Sequence, residues 1–242
     1  DVLVKLEYYN PTGSYKDRMA KAVIEYAERR GDLRPGMTVV EYTGGSTGSS
    51  LAFVCAVKGY RFQVVSSDAF SREKLRTMEA LGGELFIVPS DGGMITPDLI
   101  PRMIEEARKL AQAPNTYWTD QFNNPDAVRG YEQLGNELTI QVDARTDVFC
   151  ASVGTAAMLM GVSRVLKSDH TRIVAFEPSS SPVLTAGTAG THHVEGIGTS
   201  FVPPLFDPAS VDEVRTIDES DAREMARLLA REEGIFTGIS SG

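Results

Sequence analysis

Short apolar runs of strand length alternate with longer stretches of helical period along nearly the whole chain, and few folds accept that rhythm. The strand-like runs are MTVVEY at 37–42, RFQVVS at 61–66, ELFIVP at 84–89, TYWTD at 116–120, DVFCAS at 147–152 and RIVAFEP at 172–178. Between them lie helical segments to about residue 30, at 47–58, from Ser71 to Leu81, from Pro97 to about Leu110, at about 126–139 and up to Leu166. A strand followed by a helix and another strand reads as a parallel crossover, right-handed because strands twist that way. The prediction is an α/β chain with largely parallel sheets covered on both faces. Ser14 fits an N-cap with Asp17 three residues on, and DVLVKLEYY at the start reads as an opening strand. Residues 178–216, rich in Gly, Pro, Ser and Thr, break the rhythm and suit a site wall or a partner surface. Regularity returns with Ser220 as a cap and a helix near 221–233, where Met225, Leu228 and Leu229 have core spacing.

The length of 242 residues suits one or two domains, and a division falls in the region 120–150. Asp and Glu outnumber Lys and Arg by 33 to 24, and the basic residues are dispersed, which argues against a nucleic-acid partner. No apolar run approaches the roughly 20 residues that span a bilayer, so no membrane partner is expected. Cys55 and Cys150 lie in apolar runs and read as buried free thiols, which favours a reducing cytoplasm; their spacing offers no metal site. Both ends of the chain look cut.

Three features carry chemistry. Lys16 falls in a first helical turn, where a cation opposes the helix dipole, and NPTGS before it makes a tight entry. A primary amine is the side chain that condenses reversibly with an aldehyde, although a lysine there is more often simply solvated. TGGSTG at 43–48 and VGTAAM at 153–158 each follow a strand and open a helix, where small residues and free N–H groups can hold carboxylate or phosphate. Each is also compatible with an ordinary turn and helix start. Together they suit a cofactor that has both an aldehyde and a phosphate.

Taken in order, NPTGSYKDR at 10–18, EYTGGSTGSSLA at 41–52, SREKLRTMEALGGEL at 71–85, QFNNP at 121–125, SVGTAAMLMG at 152–161, FEPSSSPVL at 176–184, EGIGTSFVPP at 195–204 and GISSG at 238–242 resemble the cysteine synthase and cystathionine β-synthase family of fold type II pyridoxal-phosphate enzymes. The resemblance implies a tryptophan synthase β-like α/β fold in two lobes. Residues 1–125 would form an opening segment and a smaller mobile lobe. Residues 126–242 would form a larger cofactor-phosphate-binding lobe, apparently truncated at its C-terminal end.

By the same resemblance, Lys16 is the Schiff-base lysine for pyridoxal 5'-phosphate and the catalytic base. Thr43, Gly44, Gly45 and Thr47 bind the substrate carboxylate with Gln121, and Ser46 touches the cofactor. Gly154, Thr155, Ala156, Ala157 and Met158 form the phosphate cup, Gly196 and Ile197 lie near the mouth, and Ser240 faces the pyridine nitrogen. The implied reaction is β-replacement on O-acetylserine or a similar serine derivative, through an aminoacrylate, with sulfide or another nucleophile. A serine or threonine dehydratase, a diamino-acid synthase and a catalytically altered binding homologue are the alternatives. The partners implied are a small amino acid and a small nucleophile, with a homodimer as the assembly.

The chain departs from the family in three places, one of them the segment after Gln121, which lacks the usual Thr-Thr pair and reads RGYEQLGNE. The family's usual Thr-Ser-Gly-Asn-Thr-Gly reads Thr43-Gly44-Gly45-Ser46-Thr47-Gly48 here, which removes a hydroxyl and an amide, and Met158 stands where the cup usually ends in Thr. Asn123 and Asn124 read as turn formers before Pro125, and His192 and His193 as loop residues.

Overall fold

The computed structural model describes all residues except Asp1, Pro97, Asp143 and Ala144. It divides into two compact units, Asp1–Asp126 and Ala127–Gly242.

The first unit is built on four parallel strands, β1 (Thr38–Tyr42), β2 (Arg61–Ser67), β3 (Gly83–Val88) and β4 (Thr116–Trp118), in the order β3-β2-β1-β4. Helices α1 (Lys16–Arg30), α2 (Ser46–Lys58), α3 (Arg72–Ala80) and α4 (Leu99–Ala111) make the connections. Every residue of β1 is buried, because successive side chains point to opposite faces and both faces are covered. Val39, Phe62 and Val64 pack with Ala20 and Ile24 of α1 and Leu51 and Val54 of α2. Val40, Tyr42 and Val65 pack instead with Leu99, Met103 and Ala107 of α4. Each such fully buried aliphatic or aromatic side chain stabilises the fold by roughly 1.5–3 kcal/mol. Helices α1 and α2 stop at Gly31 and Gly59, whose φ of 78° and 77° close the helix in a left-handed turn that costs glycine nothing.

From β1 the chain moves outward through β2 to β3, then returns to place β4 on the other side of β1. The carboxyl ends of β1 and β4 therefore flank a topological switch point, where open parallel sheets form their ligand crevices.

The second unit has three parallel strands, β5 (Val148–Ser152), β6 (Arg172–Pro178) and β7 (Glu213–Ile217), in the order β5-β6-β7. Helix α5 (Pro125–Gln141) opens at the unit boundary; α6 (Ala157–Leu166), α7 (Val183–Ala186) and α8 (Glu219–Glu232) follow. Gly161 lets α6 lie against α5: a Cβ there would stand 2.4 Å from the Val128 carbonyl oxygen and 2.6 Å from Tyr131 Cβ.

Several sequence expectations are corrected here. The described residues 2–6 form no strand, and 7–9 are a 3-10 turn; Val2, Leu3 and Val4 are exposed and pair with no neighbouring strand. Ser14 does not cap through Asp17. Its Oγ accepts from Lys16 N, while the Asp17 carboxylate accepts from Thr12 N and Thr12 Oγ1 at 2.9 and 2.5 Å. Cys55 is buried, but Cys150 is exposed because β5 is an edge strand. The irregular region contains β7 and the short α7. Ser220 lies inside α8, whose N-cap is Asp218. Met225 is 46% exposed and Leu228 and Leu229 are only partly buried. Pro97 lies outside the described residues, and the helix expected after it begins at Leu99.

Candidate active site

Lys16 is the first residue of α1 and only 8% exposed, an unusual setting for a residue type that is almost never fully buried. Its Nζ stands 5.2 Å from the centre of the Tyr15 ring. The preceding turn is held by the Asp17 bonds to Thr12, and Thr12 Oγ1 lies 3.2 Å from Ser50 Oγ on α2. Those bonds fix the entry to α1 against the helix that carries the TGGSTG loop.

That loop leaves β1 and enters α2 at the switch point. Thr43 and Thr47 are buried, while Gly44, Gly45 and Ser46 are partly exposed. Gln121, just beyond β4, reaches across: Thr47 Oγ1 donates to Gln121 Oε1 at 2.8 Å, and Gln121 Nε2 donates to the Tyr42 carbonyl at 3.0 Å. Five of the predicted substrate-binding residues thus form one cluster at the carboxyl ends of neighbouring strands. The Thr43 hydroxyl, the second N–H of the Gln121 amide and the first N–H groups of α2 are donors suited to a carboxylate.

Beneath the cluster lies Glu41, which is fully buried. Its carboxylate accepts from Tyr42 N at 2.9 Å, Thr119 Oγ1 at 2.6 Å and Gln121 N at 3.0 Å. Burial pushes its carboxyl up to about 7, against the pull of those hydrogen bonds, and the neighbouring Asp120 charge adds to the rise.

The structure accounts for one departure from the family pattern. A Cβ at Gly44 would lie 2.4 Å from the Phe70 ring, and one at Gly45 would lie 3.2 Å from Lys74 Nζ. Phe70 lies between β2 and α3 and Lys74 in the first turn of α3, so an aromatic ring occupies the space that a serine side chain needs. A Gly44→Ser variant should therefore lose about 1–3 kcal/mol of stability through overpacking. In a Phe70→Ala background most of that loss should vanish, a coupling read from denaturant melts of the four proteins of the cycle.

A second cluster lies in the second unit, where β5 feeds the VGTAAM loop. Gly154, Thr155, Ala156 and Ala157 are buried and Met158 is partly exposed. Ala156 is the N-cap of α6, with φ 66°, a left-handed conformation that costs a non-glycine residue about 1 kcal/mol or more. A Cβ at Gly154 would stand 2.5 Å from the Gly196 carbonyl oxygen, and Gly198 N donates to the Val153 carbonyl at 3.0 Å. The cup and the Gly196–Ile197 segment therefore abut directly. His192 secures that segment, its Nε2 lying 2.8 Å from the Gly198 carbonyl. Ser240 is exposed in the last 3-10 turn, where its carbonyl accepts from Ser152 Oγ at 3.4 Å, at the end of the same strand.

This second cluster fits a phosphate ester. The loop is lined by small residues with no acidic side chain in 153–158, it contains one buried hydroxyl, and the first N–H groups of α6 lack intrahelical partners. Gly154 lets the Gly196 carbonyl approach the loop more closely than any side chain would allow. With Met158 in place of a hydroxyl, the available donors are backbone N–H groups and Thr155.

Sequence reading missed Glu41, Phe70, Lys74 and the Thr119–Asp120 turn. Only Glu41 left a signal, as a charge inside a wholly apolar run.

Comparison with known proteins bears on these clusters. A family model described as pyridoxal-phosphate dependent enzyme matches residues 1–242. A cysteine synthase of Staphylococcus aureus is 42% identical over 246 residues, covering all of this chain and 77% of the relative. Among solved structures, a cysteine synthase of Entamoeba histolytica matches with TM-score 0.92 and 35% identity over 98% of this chain and 70% of its own. An O-acetylserine dependent cystathionine beta-synthase of Helicobacter pylori matches with TM-score 0.91 and 33% identity over 98% of this chain and 77% of its own.

Proposed function

The chain belongs to the cysteine synthase and cystathionine β-synthase family of fold type II pyridoxal-phosphate enzymes, and from that premise we propose that it replaces the β-substituent of O-acetylserine, or of a similarly activated serine, with sulfide or another small nucleophile. The Thr47–Gln121 hydrogen bond carries this reading, because it closes a carboxylate-binding cluster at the switch point of the first sheet.

Pyridoxal phosphate, when bound, supplies an electron-accepting ring that stabilises negative charge at the substrate α-carbon. Lys16 would hold the cofactor through its amine, and its free amine would be the base that takes the substrate α-proton and later returns one. The backbone N–H groups and hydroxyls of Thr43, Gly44, Gly45 and Thr47 hold the substrate carboxylate together with Gln121, which orients the bond to be broken. Ser46 would contact the cofactor, Gly154, Thr155, Ala156, Ala157 and Met158 would hold its phosphate, and Gly196 would border the mouth. Ser240 would offer the ring nitrogen a neutral hydroxyl rather than a carboxylate, which would favour elimination over transamination.

The unit ending near residue 125 would act as the mobile lobe that excludes water, and the remainder as the cofactor-phosphate lobe. A homodimer and a cytoplasmic setting belong to the same family reading.

The test is product analysis of the loaded protein with O-acetylserine. Cysteine should accumulate when sulfide is present, and omission of sulfide should leave slow release of pyruvate. Pyruvate as the main product with sulfide in excess would overturn the reading in favour of a dehydratase.

A further inference from the structure

We propose that Glu41 is a positioning residue for amino-acid binding: its buried carboxylate clamps the turn Thr119–Asp120–Gln121 so that the Gln121 side chain is presented to Thr47. The inference rests on the reading of Thr47 and Gln121 as substrate contacts. Asp120 has φ 45°, in the left-handed region that a non-glycine residue occupies at a cost, so the turn does not hold this shape by preference. One oxygen, Glu41 Oε2, accepts from the residue before Asp120 and from the residue after it, through Thr119 Oγ1 at 2.6 Å and Gln121 N at 3.0 Å. The other oxygen accepts from Tyr42 N at 2.9 Å, on the strand whose Tyr42 carbonyl receives Gln121 Nε2. Glu41 therefore ties together both walls of the cluster, the end of β1 and the turn after β4, alongside the bonds from Thr119 N to the Val40 carbonyl and from Asn124 Nδ2 to the Thr119 carbonyl. Glu41 touches neither substrate nor cofactor in this arrangement and acts through Gln121.

The arrangement makes different demands on different replacements. In Glu41→Gln the side-chain oxygen can take the Oε2 position and keep both bonds that straddle Asp120, while the amide NH2 replaces the acceptor of Tyr42 N–H and sets donor against donor there. In Glu41→Met the Tyr42 and Gln121 N–H groups lose their acceptor within a buried site, and Thr119 Oγ1 is left with the Val40 carbonyl at 3.3 Å. Replacing Asp120 with Gly in the Met variant lowers the cost of the left-handed turn directly, and no carboxylate remains at position 41 for Asp120 to repel.

The experiment compares holoenzymes of wild type, Glu41→Gln, Glu41→Met and Glu41→Met/Asp120→Gly. Steady-state kinetics with O-acetylserine and sulfide are measured beside amide hydrogen exchange of the peptide containing residues 119–121. The Met variant should raise KM for the amino acid about tenfold or more with a smaller change in kcat. It should also exchange the Gln121 amide faster, and Asp120→Gly should recover part of both effects. The Gln variant should stay within a few-fold of wild type. If the Met variant does not fold, Thr119→Val removes one side of the clamp alone and should raise KM and speed exchange to a smaller degree. Wild-type KM and wild-type exchange in a folded Met or Val variant would overturn the proposal. Absence of turnover by wild type would instead count against the proposed function, and the exchange data would still judge the clamp.

Discussion

Lys16→Ala should abolish covalent attachment of pyridoxal phosphate and lower kcat by about 1,000-fold or more, since under the proposed function the variant loses both the amine that holds the cofactor and the base that moves the α-proton. The fold should survive. Alanine is the best helix former, the substitution falls at the first position of α1, and the Asp17–Thr12 bonds that shape the entry do not involve the Lys16 side chain. The check is a pair of measurements on one preparation: a thermal melt close to that of the wild type, and turnover close to background. Turnover within tenfold of wild type would remove Lys16 from the mechanism. Loss of folding together with turnover would mean that the buried lysine is structural.

The second large effect is expected at Gly154. Its missing Cβ would lie 2.5 Å from the Gly196 carbonyl oxygen, a backbone atom that cannot swing aside as the Phe70 ring can near Gly44. A Gly154→Val variant must therefore separate the cup from the Gly196–Ile197 segment, straining the Gly198–Val153 hydrogen bond beside it. Overpacking of this kind costs about 1–3 kcal/mol, which corresponds to roughly 5- to 150-fold if the strain is felt mainly when the phosphate binds. Titration of the cofactor-free variant with pyridoxal phosphate should show a dissociation constant raised by about that factor. Wild-type affinity would mean that the phosphate is held elsewhere.

Much of this architecture is legible in the sequence because burial on both faces of a parallel sheet leaves continuous apolar runs such as VVEY and QVVS, and Gly31 and Gly59 mark helix ends. The misreadings have physical causes. Strand β7 carries Glu213, Arg215 and Thr216 within a Gly- and Pro-rich region, so its pattern looks like loop. Residues 2–6 are apolar enough for a strand but form none. Cys150 sits in an apolar run, yet an edge strand leaves it exposed. At the site, Lys16 and the two glycine-bearing loops stand out because their residue types are chemically unusual where they fall. The reason Gly44 is glycine does not, because Phe70 reaches it only after the chain has passed through α2 and β2. The Glu41 clamp is likewise a tertiary contact: a charge in an apolar strand signals that a partner exists without saying that the partner is a strained turn at the end of β4.

The most direct measurement is borohydride reduction of the cofactor-loaded protein, followed by proteolysis and mass mapping of the modified lysine. The account predicts a single pyridoxyl-phosphate adduct on the peptide that contains Lys16. An adduct confined to another lysine, Lys74 beside the substrate loop being the nearest competitor, would contradict it, as would a fully active preparation that yields no adduct.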